Sequence, residues 1–159
     1  MYSLHREMLY KESCSNGNNH GELANVRRQA CTVMIVDDHT LLRKGLNQLL
    51  EFGSDLTAVA EASFGQKAIK LALEFESDLI ALDLNMQGMD GLETLKHMRD
   101  KGIGSRIVML TVSDNDEDVV EVIRAGADGY LLKNMDTEEI VDKLREAALE
   151  KMVMSAKLT

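Results

Sequence analysis

The chain reads as an α/β protein, a doubly wound five-stranded parallel sheet with helices on both faces. Three observations predict this. Short apolar runs rich in β-branched residues recur from residue 32 onward. Stretches with a 3.6-residue apolar period lie between them. The two kinds alternate strictly, and such alternation needs crossover helices and therefore parallel strands. At 159 residues the chain suits one such domain with a tail.

Residues 1–31 stand apart from this rhythm. "CSNGNNHGE" is polar and turn-rich, so the segment is expected to be a disordered N-terminal tail or a tag-like stretch without assigned function. Both cysteines, Cys14 and Cys31, fall in it. Nothing points to an oxidising compartment, so two ordinary thiols are expected. The folded domain is expected over 32–152, with 153–159 as the start of a linker and no output domain behind it. The first residues lack the apolar stretch of a signal peptide, and no run is long enough to span a bilayer. A soluble, cytoplasmic protein without membrane contact follows.

The elements come in order. "TVMIV" is a strand buried on both faces. "TLLRKGLNQLLEF" is a helix with Leu41, Leu42, Gly45, Leu46, Leu49 and Leu50 on one stripe. "LTAVAEA" alternates like a strand nearer an edge, and "GQKAIKLALEFE" is helical. "LIALDL" is a strand, and "GLETLKHMRDKG" is a helix closed by Gly102. "RIVMLTV" is a strand, followed by "DNDEDVVEVIRAG", a helix opened by a capping box of Asp114 and Glu117. "GYLLK" is the last strand, and Asp136 with Glu139 repeats the box before "IVDKLREAALEK".

In such sheets ligands bind outside the carboxyl ends of the strands, where the strand order reverses. There the chain keeps its polar residues. Asp37 and Asp38 end strand one, Asp83 strand three, Thr111 strand four and Lys133 strand five. Singly, each has a plain reading: an Asp after a strand caps a helix or forms a turn, and a Lys or Thr is surface. All of them at one sheet edge are hard to credit to chance. Three carboxylates in one crevice repel, and either raise one another's pKa or recruit a cation. The folded region has no cysteine and no HxxxH-like pair, which disfavours a soft metal, and an oxygen-only cluster favours Mg²⁺. Lys133 offers a point charge and Thr111 a hydroxyl to phosphate oxygens. Phosphoryl transfer relies on such positioning and charge stabilisation, with Asp83 as nucleophile. The net charge of −9 opposes phosphate-driven binding of nucleic acid by this chain.

"VMIVDDH", "LDLNMQGMDGLETL", "LTVSD" and "AGADGYLLK" resemble the receiver domain of bacterial two-component response regulators over about residues 32–158. The likeness is greatest to the nitrate/nitrite regulators of the NarL/FixJ branch. It implies a flavodoxin- or CheY-like sheet of order 2-1-3-4-5. It implies that Asp83 accepts a phosphoryl group from a sensor histidine kinase and that Lys133 pairs with that group. Mg²⁺ would be held by Asp38, Asp83 and the backbone carbonyl of Asn85, with Asp37 assisting through water. Thr111 and Tyr130 would be the switch pair, altering the face made by helix four, strand five and helix five. On its residues alone, Tyr130 is a half-buried strand aromatic. Asn85 and Ser113 would tune hydrolysis of the aspartyl phosphate. The protein would be a signalling switch rather than an enzyme, with a phosphorylation-linked homodimer through helix one or helix five. Kinase pairing would use surface residues of helix one, Leu42, Arg43 and Leu46 among them. In full-length relatives DNA is reached only through a helix-turn-helix domain beyond the linker, so no direct nucleic-acid contact is expected of this stretch, whether it is a stand-alone receiver or one cut from a longer regulator.

The chain departs from many relatives at Thr40, Gln87 and Asn134, where they carry proline; this chain has none. Thr40 can open helix one, Gln87 loosens its loop, and Asn134 argues for a trans peptide after Lys133. A phosphohydrolase of the haloacid-dehalogenase type would want an acid two residues past Asp83, and Asn85 is there instead. A degenerate, phosphorylation-independent interaction module is the other rival, and the complete set of site residues speaks against it.

Overall fold

The computed structural model of the chain describes residues 31–53 and 55–149, together with the backbone of Val153–Met154. The expected tail lies outside the described residues apart from Cys31. The apolar runs form β1 (Cys31–Val36), β2 (Leu56–Ala62), β3 (Leu79–Asp83), β4 (Arg106–Thr111) and β5 (Gly129–Leu132). Between and after them lie α1 (Thr40–Phe52), α2 (Gly65–Phe75), α3 (Gly91–Asp100), α4 (Asp116–Arg124) and α5 (Thr137–Ala148). The strands pair in parallel in the order β2-β1-β3-β4-β5, as expected. A sixth strand, β6 (Val153–Met154), adds in parallel beside Gly129 and Tyr130 of β5. It falls where the sequence reads as a linker, and two residues are too few to show any period.

Alternation along the strands sends side chains to two cores. Met34, Val36, Ile80, Leu82, Met109 and Tyr130 face α2, α3 and α4. Val33, Ile35, Ala81, Val108, Leu110 and Leu131 face α1 and α5. This is the pattern of a sheet covered on both faces, which is why its strands read as continuous apolar runs.

The helix ends are built by local chemistry. α3 closes as expected at Gly102, whose φ of 78° is cheap only for glycine. Gly102 N–H donates to Arg99 O and Ile103 N–H to Met98 O, a Schellman closure. α4 repeats it through Gly126 (φ 111°). Arg99 then joins the two ends, its guanidinium donating to the carbonyls of Gly126, Ile103 and Ser105 and to Asp128.

Several expectations need correcting. The cap of α4 is Asn115, which accepts the Glu117 N–H, and not Asp114. Ser113 Oγ donates to Asp118 at 2.7 Å, and this bond sets the turn so that the helix starts at Asp116. Asp136 does occupy the cap position of α5, but its exposed side chain makes no capping bond. α1 does begin at Thr40, as expected, with His39 before it in the cap position. Leu41 is 85 % exposed, because at 3.6 residues per turn it lies about 100° round the helix from Leu42. Leu46 is fully buried, so it is no part of a kinase-facing surface. β1 starts one residue before the expected boundary, at Cys31, whose N–H donates to Asp55 O. Cys31 is disulfide-bonded rather than a plain thiol, since a compartment argument carries no information about which sulfurs meet. No peptide bond among the described residues is cis.

Candidate functional site

Parallel pairing of β1 with β3, β3 with β4 and β4 with β5 brings four carboxyl-terminal strand ends side by side. The ladder runs on past the strands: Asp37 N–H donates to Ala62 O, Leu84 N–H to Leu110 O and Lys133 N–H to Thr111 O. These bonds seat Asp37, Asp83 and Lys133 at one level. Asp37 and Asp83 are fully buried, and the Lys133 side chain is 9 % exposed.

Lys133 Nζ lies 2.9 Å from Asp37 Oδ2 and 2.9 Å from Asp83 Oδ1. Asp83 Oδ1 also accepts the Asn85 N–H at 3.0 Å. Its other oxygen, Oδ2, is buried without a hydrogen-bond partner among the described residues. Asp37 Oδ2 touches Lys133 as an ion pair but off the hydrogen-bonding direction, so it too is unsatisfied as an acceptor. Two buried carboxylates share one ammonium, leaving the pocket short of positive charge.

Burial pushes the Asp83 carboxyl up to about 6; repulsion from Asp37 adds to the rise, while Lys133 and the Asn85 N–H oppose it. The native state therefore holds this proton more tightly than the unfolded chain, whose carboxyl titrates near 3.8. In metal-free protein the group's contribution is present below pH 4 and is lost as the pH rises through about 6, a change of about 3 kcal/mol. Urea melts in EDTA at pH 5 and pH 7 will show it as a wild-type loss that Asp83→Asn lacks. Equal pH dependence in both proteins counts against the burial argument.

The remaining expected residues form a second layer. Thr111 Oγ1 donates to Asn85 Oδ1 at 2.8 Å and accepts the Ser113 N–H. Tyr130 is fully buried, not half-buried, because β5 lies between β4 and β6 and its ring packs with the α2–α4 core. Its hydroxyl donates to Ser113 O at 2.8 Å. Burial raises the Tyr130 pKa, with the Asp118 charge adding to it. A chain of contacts thus runs from Asn85 through Thr111 and Ser113 to Tyr130 and Asp118.

Asp37, Asp38, Asp83 and His39 each offer a ligand atom within 4.8 Å of the others. Their carboxylate oxygens, with an orphaned buried Oδ2 among them, fit a hard divalent cation. Sequence reasoning missed His39, although it adjoins the acids in "VDDH". Arg43, expected on the kinase-facing surface of helix one, instead turns its guanidinium to the site, donating to Asp37 O and pairing with Glu61. No helix among the described residues is long and apolar enough to cross a membrane.

The family model for the response regulator receiver domain matches residues 33–145. The nitrate/nitrite response regulator protein NarL of Escherichia coli K12 is 48% identical over 132 residues, covering 83% of this chain and 61% of that protein. NarP of the same strain is 49% identical over 126 residues, covering 79% of this chain and 59% of that protein. The chain therefore spans about 60% of the length of these relatives. Among solved structures, a LuxR-family two-component response regulator from Aurantimonas sp. SI85-9A1 superposes with a TM-score of 0.77 at 29% identity, covering 82% of this chain and 93% of that one. The signal receiver domain assigned to NarL in Mycobacterium tuberculosis gives 0.71 at 30% identity, covering 75% and 96%.

Proposed function

This chain belongs to the response regulator receiver domain family, a family of signalling proteins, and from that premise we propose that Asp83 is its phosphoacceptor, taking a phosphoryl group from the phosphohistidine of a sensor kinase. The observation that carries this reading is the state of Asp83: Oδ1 is held by Lys133 and the Asn85 N–H, while Oδ2 has no partner among the described residues. That oxygen attacks phosphorus as the P–N bond breaks, and the leaving electron pair goes to the donor imidazole. Lys133, already across Asp37 and Asp83, is placed to pair with the incoming phosphoryl oxygens. A bound Mg²⁺ would offset the charge of the phosphoryl group, and Asp37, Asp38, Asp83 and the Asn85 backbone carbonyl are the groups to hold it.

Thr111 then exchanges its bond to Asn85 for one to the phosphoryl group. Ser113 is held by both Thr111 and Tyr130, so the exchange alters the restraints on Tyr130 and on the start of α4. The face of α4, β5 and α5 is the surface that responds. Asn85 and Ser113, each two positions past a site residue, tune hydrolysis of the acceptor's phosphate. The chain acts as a cytoplasmic switch, pairs on phosphorylation with a second copy, and in longer relatives controls a DNA-binding output domain.

The test is incubation with Mg²⁺ and acetyl phosphate, read by intact mass. One phosphoryl group should appear, absent in EDTA and absent in Asp83→Ala. No gain in a folded protein that binds Mg²⁺ would reject the phosphoacceptor and favour a phosphorylation-independent interaction module.

A further inference from the structure

Arg43 lies in the first turns of α1, where its N–H donates to His39 O. Its side chain is only 14% exposed and reaches in two directions. Nε donates to Glu61 Oε1 of β2 at 2.8 Å, and Nη1 donates to the backbone carbonyl of Asp37 at 2.6 Å. Glu61 is held a second time from the same helix, since Asn47 Nδ2 donates to its Oε2 at 2.9 Å. Arg43 and Asn47 are four residues apart and so share one face of α1. A plain ion pair between helix and strand would need only the contact to Glu61, and would contribute little.

The contact to Asp37 O acts on the site. That oxygen belongs to the peptide unit joining Asp37 to Asp38, which is planar from one Cα to the next. Fixing the oxygen fixes the turn of that plane, and with it the direction in which the Asp38 side chain leaves the backbone. Asp37 is tied on its other sides by its N–H to Ala62 O, by Oδ1 to the His39 N–H at 2.7 Å and by Oδ2 to Lys133 Nζ at 2.9 Å. Lys133 Nζ in turn touches Asp83 Oδ1. A guanidinium is a rigid planar fork, so with Nε anchored on Glu61 its Nη1 is aimed at one point.

We propose that Arg43 is a positioning residue for phosphorylation of Asp83: aimed by Glu61 and Asn47, it fixes the Asp37–Asp38 peptide and so links the edge strand β2 to the acceptor's surroundings. The inference rests on the reading of Asp83 as the phosphoacceptor. Arg43 acts through the backbone that carries the two acids, and its charge alone does not suffice. A lysine keeps that charge but loses the planar fork. Removing Glu61 keeps the guanidinium but frees its plane. Both changes weaken the same restraint, so making them together should add little.

The test follows mass gain of the full chain with phosphoramidate in saturating Mg²⁺, under conditions where melts show each protein folded. Arg43→Lys and Glu61→Ala should each react about tenfold more slowly than wild type, and the double variant should be slowed about tenfold rather than about 100-fold. Glu61→Ala alters a half-exposed side chain, so it reads the restraint even where Arg43→Lys folds poorly. In EDTA, the carbonyl ¹³C resonance of Asp37 should move upfield in both variants as the bond from Nη1 is lost. Arg145→Ala is the control. That guanidinium makes a like ion pair, 2.9 Å from Nε to Asp55 Oδ2, and its loss should change neither the rate nor the resonance. Wild-type rates in Arg43→Lys or in Glu61→Ala, a 100-fold loss in the double variant, or equal slowing in Arg145→Ala overturns the proposal and leaves Asp83 as acceptor. A wild type that gains no mass removes this inference together with the reading beneath it.

Discussion

Gly91→Ala should slow phosphorylation of Asp83 by about 100-fold and lower stability by about 3 kcal/mol. Gly91 is the first residue of α3 and is buried against the exit of β3. A Cβ there would lie 2.6 Å from Leu84 Cα and 2.9 Å from Asp83 C, and closer still to the Asp83 carbonyl oxygen. All three are backbone atoms, so none can rotate aside. Gly91 N–H also donates to Leu84 O at 2.9 Å, which fixes the helix start against the strand end. An added methyl must either lift α3 or shift Asp83 and Leu84, and a displacement near 1 Å is enough to disturb the attack geometry. Gly65 makes a useful contrast: its Cβ would meet Thr94 Oγ1 and Met89 side-chain atoms, which can give way. Gly65→Ala should therefore lose stability with a smaller loss of rate. The checks are the rate of mass gain with acetyl phosphate and a urea melt. A wild-type rate in Gly91→Ala would sink the claim that this contact sets the acceptor's position.

Much of the site was legible because one inference does most of its placing. Once alternating elements imply parallel neighbours, the residues ending β1, β3, β4 and β5 must share an edge, and Asp37, Asp83, Thr111 and Lys133 do. Gly102 was legible as a stop because its left-handed φ has a specific residue preference. Choices between chemically equal candidates were not. Asp114 and Asn115 can both cap a helix, and the Ser113–Asp118 bond that decides between them appears only in three dimensions. His39 was invisible for a stronger reason. Its ring direction depends on Asp37 two residues away and on Lys133, 94 residues along the chain. Tyr130 was misjudged because its burial depends on a neighbouring strand, β6, too short to announce itself.

Removing the ammonium should have the largest effect on stability. In metal-free Lys133→Ala, Asp37 and Asp83 remain fully buried with no cation between them, and breaking such a pairing costs about 3–5 kcal/mol. The cost has two outlets. One is protonation: Asp83 already sits at about 6, and without Lys133 its carboxyl rises further, so the deficit should narrow toward pH 5. The other is metal. Because Asp37 and Asp83 then share no other Lys or Arg among the described residues, Mg²⁺ should restore more stability to Lys133→Ala than it adds to the wild type, by ordinary ligand linkage. Urea melts of both proteins in EDTA and in saturating Mg²⁺, at pH 5 and pH 7, separate these terms. If Lys133→Ala matches the wild type in EDTA at pH 7, the ammonium is not neutralising the pair. If it is weakened but Mg²⁺ helps both proteins equally, Lys133 and the metal do not serve the same carboxylates, and the cation belongs elsewhere than on Asp37 and Asp83.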